Sequence, residues 1–278
     1  MPAPIHRRRT ALGAAAAAVL ASVALALSGC SSSTPSISVD VGGSAAHASD
    51  DTTVHGQLNK ITVRGGAGSV EITAGPSGTS ATTVHRDIEY HGDKPAAVPG
   101  STSGGSLTLG SGCDCSIDYR ITTPPGPAVT VDSAAGPVSV TGADTVQVRG
   151  GAGTVRVNRA AGAVTVNVGS GDVDLDGIGG PLIVTALSGT ITGRDVSSAT
   201  ADLASGAGSQ QVVFSSAPHR ISATAAAGGI RLTLPRHAYR VDAHTVTGSV
   251  TSGLPNDSAA ADTLTVHTVT GNIALGTF

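Results

Sequence analysis

Three sets of residues have types and spacings that could do chemistry. The first is Cys30, which ends the run Leu27-Ser28-Gly29-Cys30. Small residues just before a cysteine let a peptidase reach the backbone, and the thiol is the nucleophile that takes a diacylglycerol. The second is Cys113-Asp114-Cys115. Residues two apart on a straight strand are near the upper limit for a disulfide, so a bridge needs a turn, which Gly112 makes feasible. Free thiols are one alternative, and a metal site completed by His85 or His91 is another. The third is Asp172, Asp174 and Asp176, which alternate with Val173 and Leu175 and project from one face of a strand. Paired carboxylates are the acid and base of glycosidases, whereas isolated ones make a solvated face, the reading adopted for these. The histidines from His47 to His267 show no His-x-x-x-His spacing, and the site expectations are no catalytic residue, no metal and no cofactor.

The segments around these residues set their context. His6-Arg7-Arg8-Arg9 is a positive leader, and Ala11 to Leu27 is an unbroken apolar run, short for a spanning helix and normal for a secretory signal. With Cys30 behind it, the reading is an exported lipoprotein, with residues 1–29 as signal peptide. Fatty acyl chains such as palmitate would tie Cys30 to the outer face of the plasma membrane, and two or more chains anchor stably. Arg8-Arg9 leaves twin-arginine export open beside the general route. Removing Arg7, Arg8 and Arg9 takes the 16 basic residues to 13 against 19 acidic ones, a net charge of −6. That balance disfavours nucleic acid as a partner. The partners expected are the membrane, through lipid on Cys30, and an envelope protein or cell-wall component.

Residues 30–52, rich in Ser, Ala, Gly and Asp, read as a disordered spacer. After them, short stretches alternate apolar and polar residues between Gly, Pro and Asn, the signature of strands and turns. The apolar dyads Val129-x-Val131, Val138-x-Val140, Val146-x-Val148, Val155-x-Val157, Val164-x-Val166 and Val173-x-Leu175 advance by eight or nine residues at a time. Many are led by glycine: Gly136, Gly153, Gly162, Gly171, Gly180 and Gly189. Longer echoes occur too. Val63-Arg64-Gly65-Gly66-Ala67-Gly68-Ser69-Val70 nearly returns at Val148–Val155, and His244-Thr245-Val246-Thr247-Gly248 returns at His267–Gly271.

A step of about nine residues is one strand and one turn, and a single such strand cannot bury its apolar face alone. Two steps make a coil. The expected fold is all-β, a β-solenoid of stacked coils, each of about 18–20 residues by this strand-and-turn count, over 125–278. An N-terminal β region over 53–124 precedes it. The alternative is an antiparallel β-sandwich. With 38 glycines, no Trp and only Tyr90, Tyr119, Phe214, Tyr239 and Phe278 as aromatics, the core must be thin and aliphatic. The aromatic scarcity also weakens a sugar-stacking role.

A coil of two nine-residue steps sets a register. It places Arg156 beside Asp174 and Arg194 beside Asp176, with Val155, Val173 and Ile191 stacked inward. On the opposite face Gln147, Thr165, Ile183 and Ala201 would point out. That face is expected to pack on the region from Thr53 to Thr123 or to receive a partner.

Ile117-Asp118-Tyr119-Arg120-Ile121-Thr122-Thr123-Pro124, followed by Val129-Thr130-Val131 and Gly136-Pro137-Val138-Ser139-Val140, resembles the bacterial putative-adhesin family of β-strand repeats, domain of unknown function 4097. The resemblance runs from about Ile61 to Leu275. It implies a β-solenoid in the cell envelope and brings no catalytic residues. Two motif readings fail on particular residues. Gly150-Gly151-Ala152-Gly153-Thr154-Val155 fits a calcium β-roll until Val155, where a carboxylate ligand is required. Gly65-Gly66-Ala67-Gly68 is followed by a strand pattern rather than by the helix a nucleotide loop needs. The functional expectation is a lipid-anchored, non-enzymatic adhesin-like or scaffold surface. An accessory to envelope-stress sensing and a polysaccharide-active β-helix enzyme are the alternatives.

Overall fold

The computed structural model describes residues 45–93, 95, 101–110, 113 and 115–278. The segment read as signal peptide, Cys30 and most of the segment read as spacer lie outside these residues. In chain order the strands are β1 (Ala46–His55), β2 (Lys60–Gly65), β3 (Val70–Ala74), β4 (Ala81–Tyr90), β5 (Ser101–Ser103), β6 (Ser106–Gly110), β7 (Cys115–Thr123) and β8 (Ala128–Ala135). Then follow β9 (Val138–Thr141), β10 (Val146–Ala152), β11 (Val155–Ala160), β12 (Val164–Ser170), β13 (Val173–Ile178), β14 (Leu182–Ser188), β15 (Ile191–Val196) and β16 (Thr200–Ala207). The last are β17 (Gln210–Phe214), β18 (Arg220–Ala227), β19 (Ile230–Leu234), β20 (Arg240–Thr247), β21 (Val250–Ser252), β22 (Thr263–Thr270) and β23 (Ile273–Thr277).

These strands form a β-solenoid. From β8 to β19 each coil places an even-numbered strand in one parallel sheet and the following odd-numbered strand in the other. Alternation turns two or three apolar side chains per strand into the space between the sheets. Val129, Val146, Val164 and Leu182 stack on one side, and Val138, Val155, Val173 and Ile191 on the other, all at most 2% exposed. Burying each such side chain contributes about 1.5–3 kcal/mol.

One corner of the coil is the same throughout. The turns from β8 to β9, β10 to β11, β12 to β13 and onward to β22 and β23 all pass through a glycine with positive φ, for example Gly153 at 122° and Gly171 at 137°. A Cβ on Gly171 would lie 2.1 Å from the Gly153 carbonyl oxygen, and one on Gly189 would lie 2.2 Å from that of Gly171. No other residue fits, because the φ and the stacking distance both forbid a side chain. The opposite corner is variable, and the coil changes length there. Val129, Val146, Val164, Leu182, Ala201 and Ile221 are stacked one above the next, and the sequence interval between them widens toward the C-terminus.

That variation corrects the uniform register at one point. Ile183 has Asp202, not Ala201, as its neighbour, and Ala201 is buried. The extra residue is absorbed between Val196 and Ala201. A second register change falls within a strand, between Gly193 and Val196 of β15 opposite β17, where the irregularity leaves both Val196 and its partner Phe214 buried.

The ends depart from simple winding. In one sheet the order is β20-β22-β18 at one end and β8-β2-β6-β5 at the other; in the second it is β21-β23-β19 and β9-β3-β7-β4-β1. At each end, therefore, the chain leaves a slot and fills it out of order. The β22–β23 coil sits between β18–β19 and β20–β21, and the β2–β3 coil sits between β6–β7 and β8–β9. The region from Thr53 to Thr123 thus extends the stack along its axis and does not cover the face bearing Ile183, which is 45% exposed. Strand β1 begins at Ala46, inside the stretch read as spacer, because its residues pair antiparallel along the whole of β4.

The two ends finish differently. At the first, β4 runs antiparallel to β7, and β1 pairs antiparallel with β4 as the last strand of that sheet. Arg86 of β4 is buried there, its Nε donating to Asp50 Oδ1 at 2.7 Å and its Nη2 to Asp50 Oδ2. Burial alone would favour the neutral guanidine, but the Asp50 hydrogen bonds win and hold the Arg86 pKa above its ordinary value. At the other end, Asn256 covers the free edge of β20. Its side chain accepts from the Val241 N–H at 3.0 Å and donates to the Val241 carbonyl at 3.3 Å. Such covers keep an open edge from recruiting foreign strands. Tyr119, Phe214 and Tyr239 are fully buried, the first and last near the two ends of the stack.

Candidate interaction surface

Because inward positions are taken by aliphatics, every second residue faces out and meets its counterpart one strand away. On one sheet Ser139, Arg156, Asp174, Thr192, Gln211 and Arg231 form a row. On the other the row is Thr62, Thr130, Gln147, Thr165, Ile183 and Asp202. The rows repeat at the strand spacing, so each sheet carries a regular outward array of hydroxyl, amide and charged groups, interrupted by Ile183 on the second.

The three aspartates divide by role. Asp174 lies beside Arg156, as expected, with Arg156 Nε 3.4 Å from Asp174 Oδ2. Asp176 is the register neighbour of Arg194. Asp172 stands at the glycine corner, where its Oδ1 accepts the Thr190 N–H of the next coil at 2.8 Å. The coils on either side of Asp174 present Arg156 and Thr192, not carboxylates. Cys113 and Cys115, the latter the first residue of β7, are joined as a disulfide, with Cα atoms 5.3 Å apart. His244 and His267 are direct neighbours in β20 and β22, with ring centroids 6.3 Å apart, edge to face.

Two polar clusters were not foreseen. Asp51, His85, Asp87 and Arg120 form a chain on the outer side of β1, β4 and β7. His85 Nδ1 is 2.7 Å from Asp51 Oδ1, and Arg120 Nη1 donates to Asp87 Oδ2 at 2.8 Å. The Asp51 hydrogen bond raises the His85 pKa above the usual 6.5. At the other end of the stack, Asp262 receives His219 Nδ1 at 2.9 Å and His237 Nε2 at 2.6 Å on its two oxygens. These bonds, that of His219 first, depress the Asp262 pKa. They tie together the corners that precede β18, β20 and β22. Tyr239 packs edge-on against His237 and is pushed up to about 12 by burial. No spacing in the sequence could have linked residues 219, 237 and 262, because their proximity depends on the out-of-order coil. Among the described residues no three His, Cys, Asp or Glu side chains are placed to hold a metal, and no helix is long and apolar enough to cross a membrane.

Residues 44–275 match the model of the Toastrack DUF4097 family. The chain belongs to that family. Among solved structures, this Toastrack chain aligns with an adhesin described as putative from Bacteroides fragilis, at 14% identity and a TM-score of 0.46, covering 84% of this chain and 97% of that one. It also aligns with a cell adhesion protein described as putative from Clostridium sporogenes, at 7% identity and a TM-score of 0.27, covering 83% of this chain and 100% of the other. No curated protein matches it.

Proposed function

We propose that this Toastrack chain is a lipid-anchored envelope protein whose solenoid serves, without catalysis, as an adhesin-like or scaffold surface for an envelope protein or cell-wall component. The observation that carries the reading is the pair of outward faces, each built from rows of mostly polar side chains over successive coils. A surface of that kind suits an extended partner better than a small substrate. The run Leu27-Ser28-Gly29-Cys30 supplies the anchor. The polysaccharide-cleaving alternative needs carboxylates clustered on adjacent coils, and beside Asp174 stand Arg156 and Thr192.

Fractionation with antibody access on intact cells tests the reading. The parent chain is expected in the membrane fraction and open to antibodies against the solenoid from outside. Cys30→Ala is expected to lose membrane retention. A parent chain found soluble inside the cell would overturn the proposal.

A further inference from the structure

The near-duplicate Val63–Val70 and Val148–Val155 segments place Arg-Gly-Gly twice at one register. Arg64 of β2 neighbours Asp132 of β8, which neighbours Arg149 of β10, so the two arginines stand two strands apart. They flank a shallow groove of about 700 Å³, with Gly65, Gly66, Gly150 and Gly151 in its floor and Asn167 at its far end.

Two of these glycines have no structural reason to be glycine. Gly65 and Gly66 lack positive φ, and a Cβ on either would meet nothing within 4 Å. Gly65 ends β2 and Gly66 follows it, and a glycine beside a strand that packing does not ask for often marks a place where another backbone approaches. The outward position of Gly66 is also not restricted to small residues. The same step in β14 is Leu187, and in β22 and β20 it is Val269 and Val246, all exposed. At Leu187, Val269 and Val246 this row carries a large side chain, whereas at Gly151 a Cβ would lie 2.3 Å from the Ala134 carbonyl oxygen, so Gly65 and Gly66 are the groove glycines that packing does not explain.

The charges define what would fit. Among the described residues Arg64 makes no ion pair, and Arg149 reaches Asp132 only at 3.4 Å. Two strand spacings are roughly 9.5 Å. A polyproline II segment has three residues per turn at 3.1 Å each, so side chains three apart recur on one face at roughly 9.3 Å. Asp132, between the arginines, repels a ligand with closely spaced anions such as a nucleic acid. The scarcity of aromatics argues against a stacked sugar.

We infer that the Arg64–Arg149 groove binds an extended acidic peptide in polyproline II conformation, with carboxylates three residues apart, one on each arginine. This rests on the scaffold reading and names the partner chemistry. Its test in solution does not depend on the anchor, so the two can fail separately.

The probe is a fluorescent Glu-Pro-Pro repeat peptide, titrated with the purified full chain and read by anisotropy. A Gln-Pro-Pro peptide removes the charge, and a Glu-Pro peptide changes its spacing. The Glu-Pro-Pro peptide is expected to bind better than both. Arg64→Ala with Arg149→Ala should weaken it by about tenfold or more. Gly66→Leu should weaken it comparably with an unchanged melting temperature, since Leu187 shows that the row accepts this side chain. Equal affinity for Glu-Pro-Pro and Glu-Pro, undiminished binding by Gly66→Leu, or binding of hyaluronan in preference to the peptide would each overturn the inference.

Discussion

A methyl group added to Gly189 would lie 2.2 Å from the Gly171 carbonyl oxygen, on a backbone whose φ is already 128°. Both the φ and the overlap oppose alanine, so Gly189→Ala should cost about 2–5 kcal/mol. Leu187, two residues away and 68% exposed, should lose less than about 0.5 kcal/mol as Leu187→Ala. Urea unfolding of the two variants measures the contrast, and equal losses would contradict the corner geometry. That glycines lead the apolar dyads was legible beforehand, but Gly162 and Gly180 lead theirs at the same distance without a positive φ, so the spacing did not tell the two corners apart. The Asp262 clip was not legible, since its partners come from corners that are distant in sequence.

Strands carry the next level. The Arg156–Asp174 neighbour pair follows from counting one coil along the sequence, and the structure places it there. Both side chains are over one-third exposed, so the pair contributes at most about 1 kcal/mol. Asp174→Asn should therefore change the unfolding midpoint only slightly. If it abolished a polysaccharide-cleaving activity, the chain would belong to a different functional class. Counting failed beyond Val196, because residues added at the variable corner and the register shift between β15 and β17 change the period while the paired apolar positions stay buried.

Strand β1 has few apolar contacts and depends more on side-chain bonds. The Asp51 hydrogen bond raises the His85 pKa in the folded state, so protonated His85 favours β1 docking. That contribution is complete below the ordinary value near 6.5 and fades as pH rises through the higher folded value. Amide exchange in Ala46–His55, corrected for intrinsic rates, should thus accelerate between acidic and mildly alkaline pH. His85→Gln should remove that dependence, and an unchanged parent profile would show that β1 is held without the imidazolium.

For the whole molecule, the stacked architecture was legible because a nine-residue apolar period has few other uses. The N-terminal β region over 53–124 was expected to precede the solenoid. It joins the same stack, with a detour through β4 to β7 before the chain returns to the open side of β2 and β3. The echo of His244–Gly248 at His267–Gly271 marked adjacent coils correctly, with no sign that the later one lies inside the earlier. Repeats report which strands are alike, and only tertiary packing decides the order in which they stack.

The proposed role requires that this stack be held at a membrane by one residue, and metabolic labelling with a fatty-acid analogue tests that most directly. The parent chain should incorporate the label, and Cys30→Ala should incorporate none and retain its uncut leader. Label retained on Cys30→Ala, or absent from the parent, would contradict the anchored-surface account.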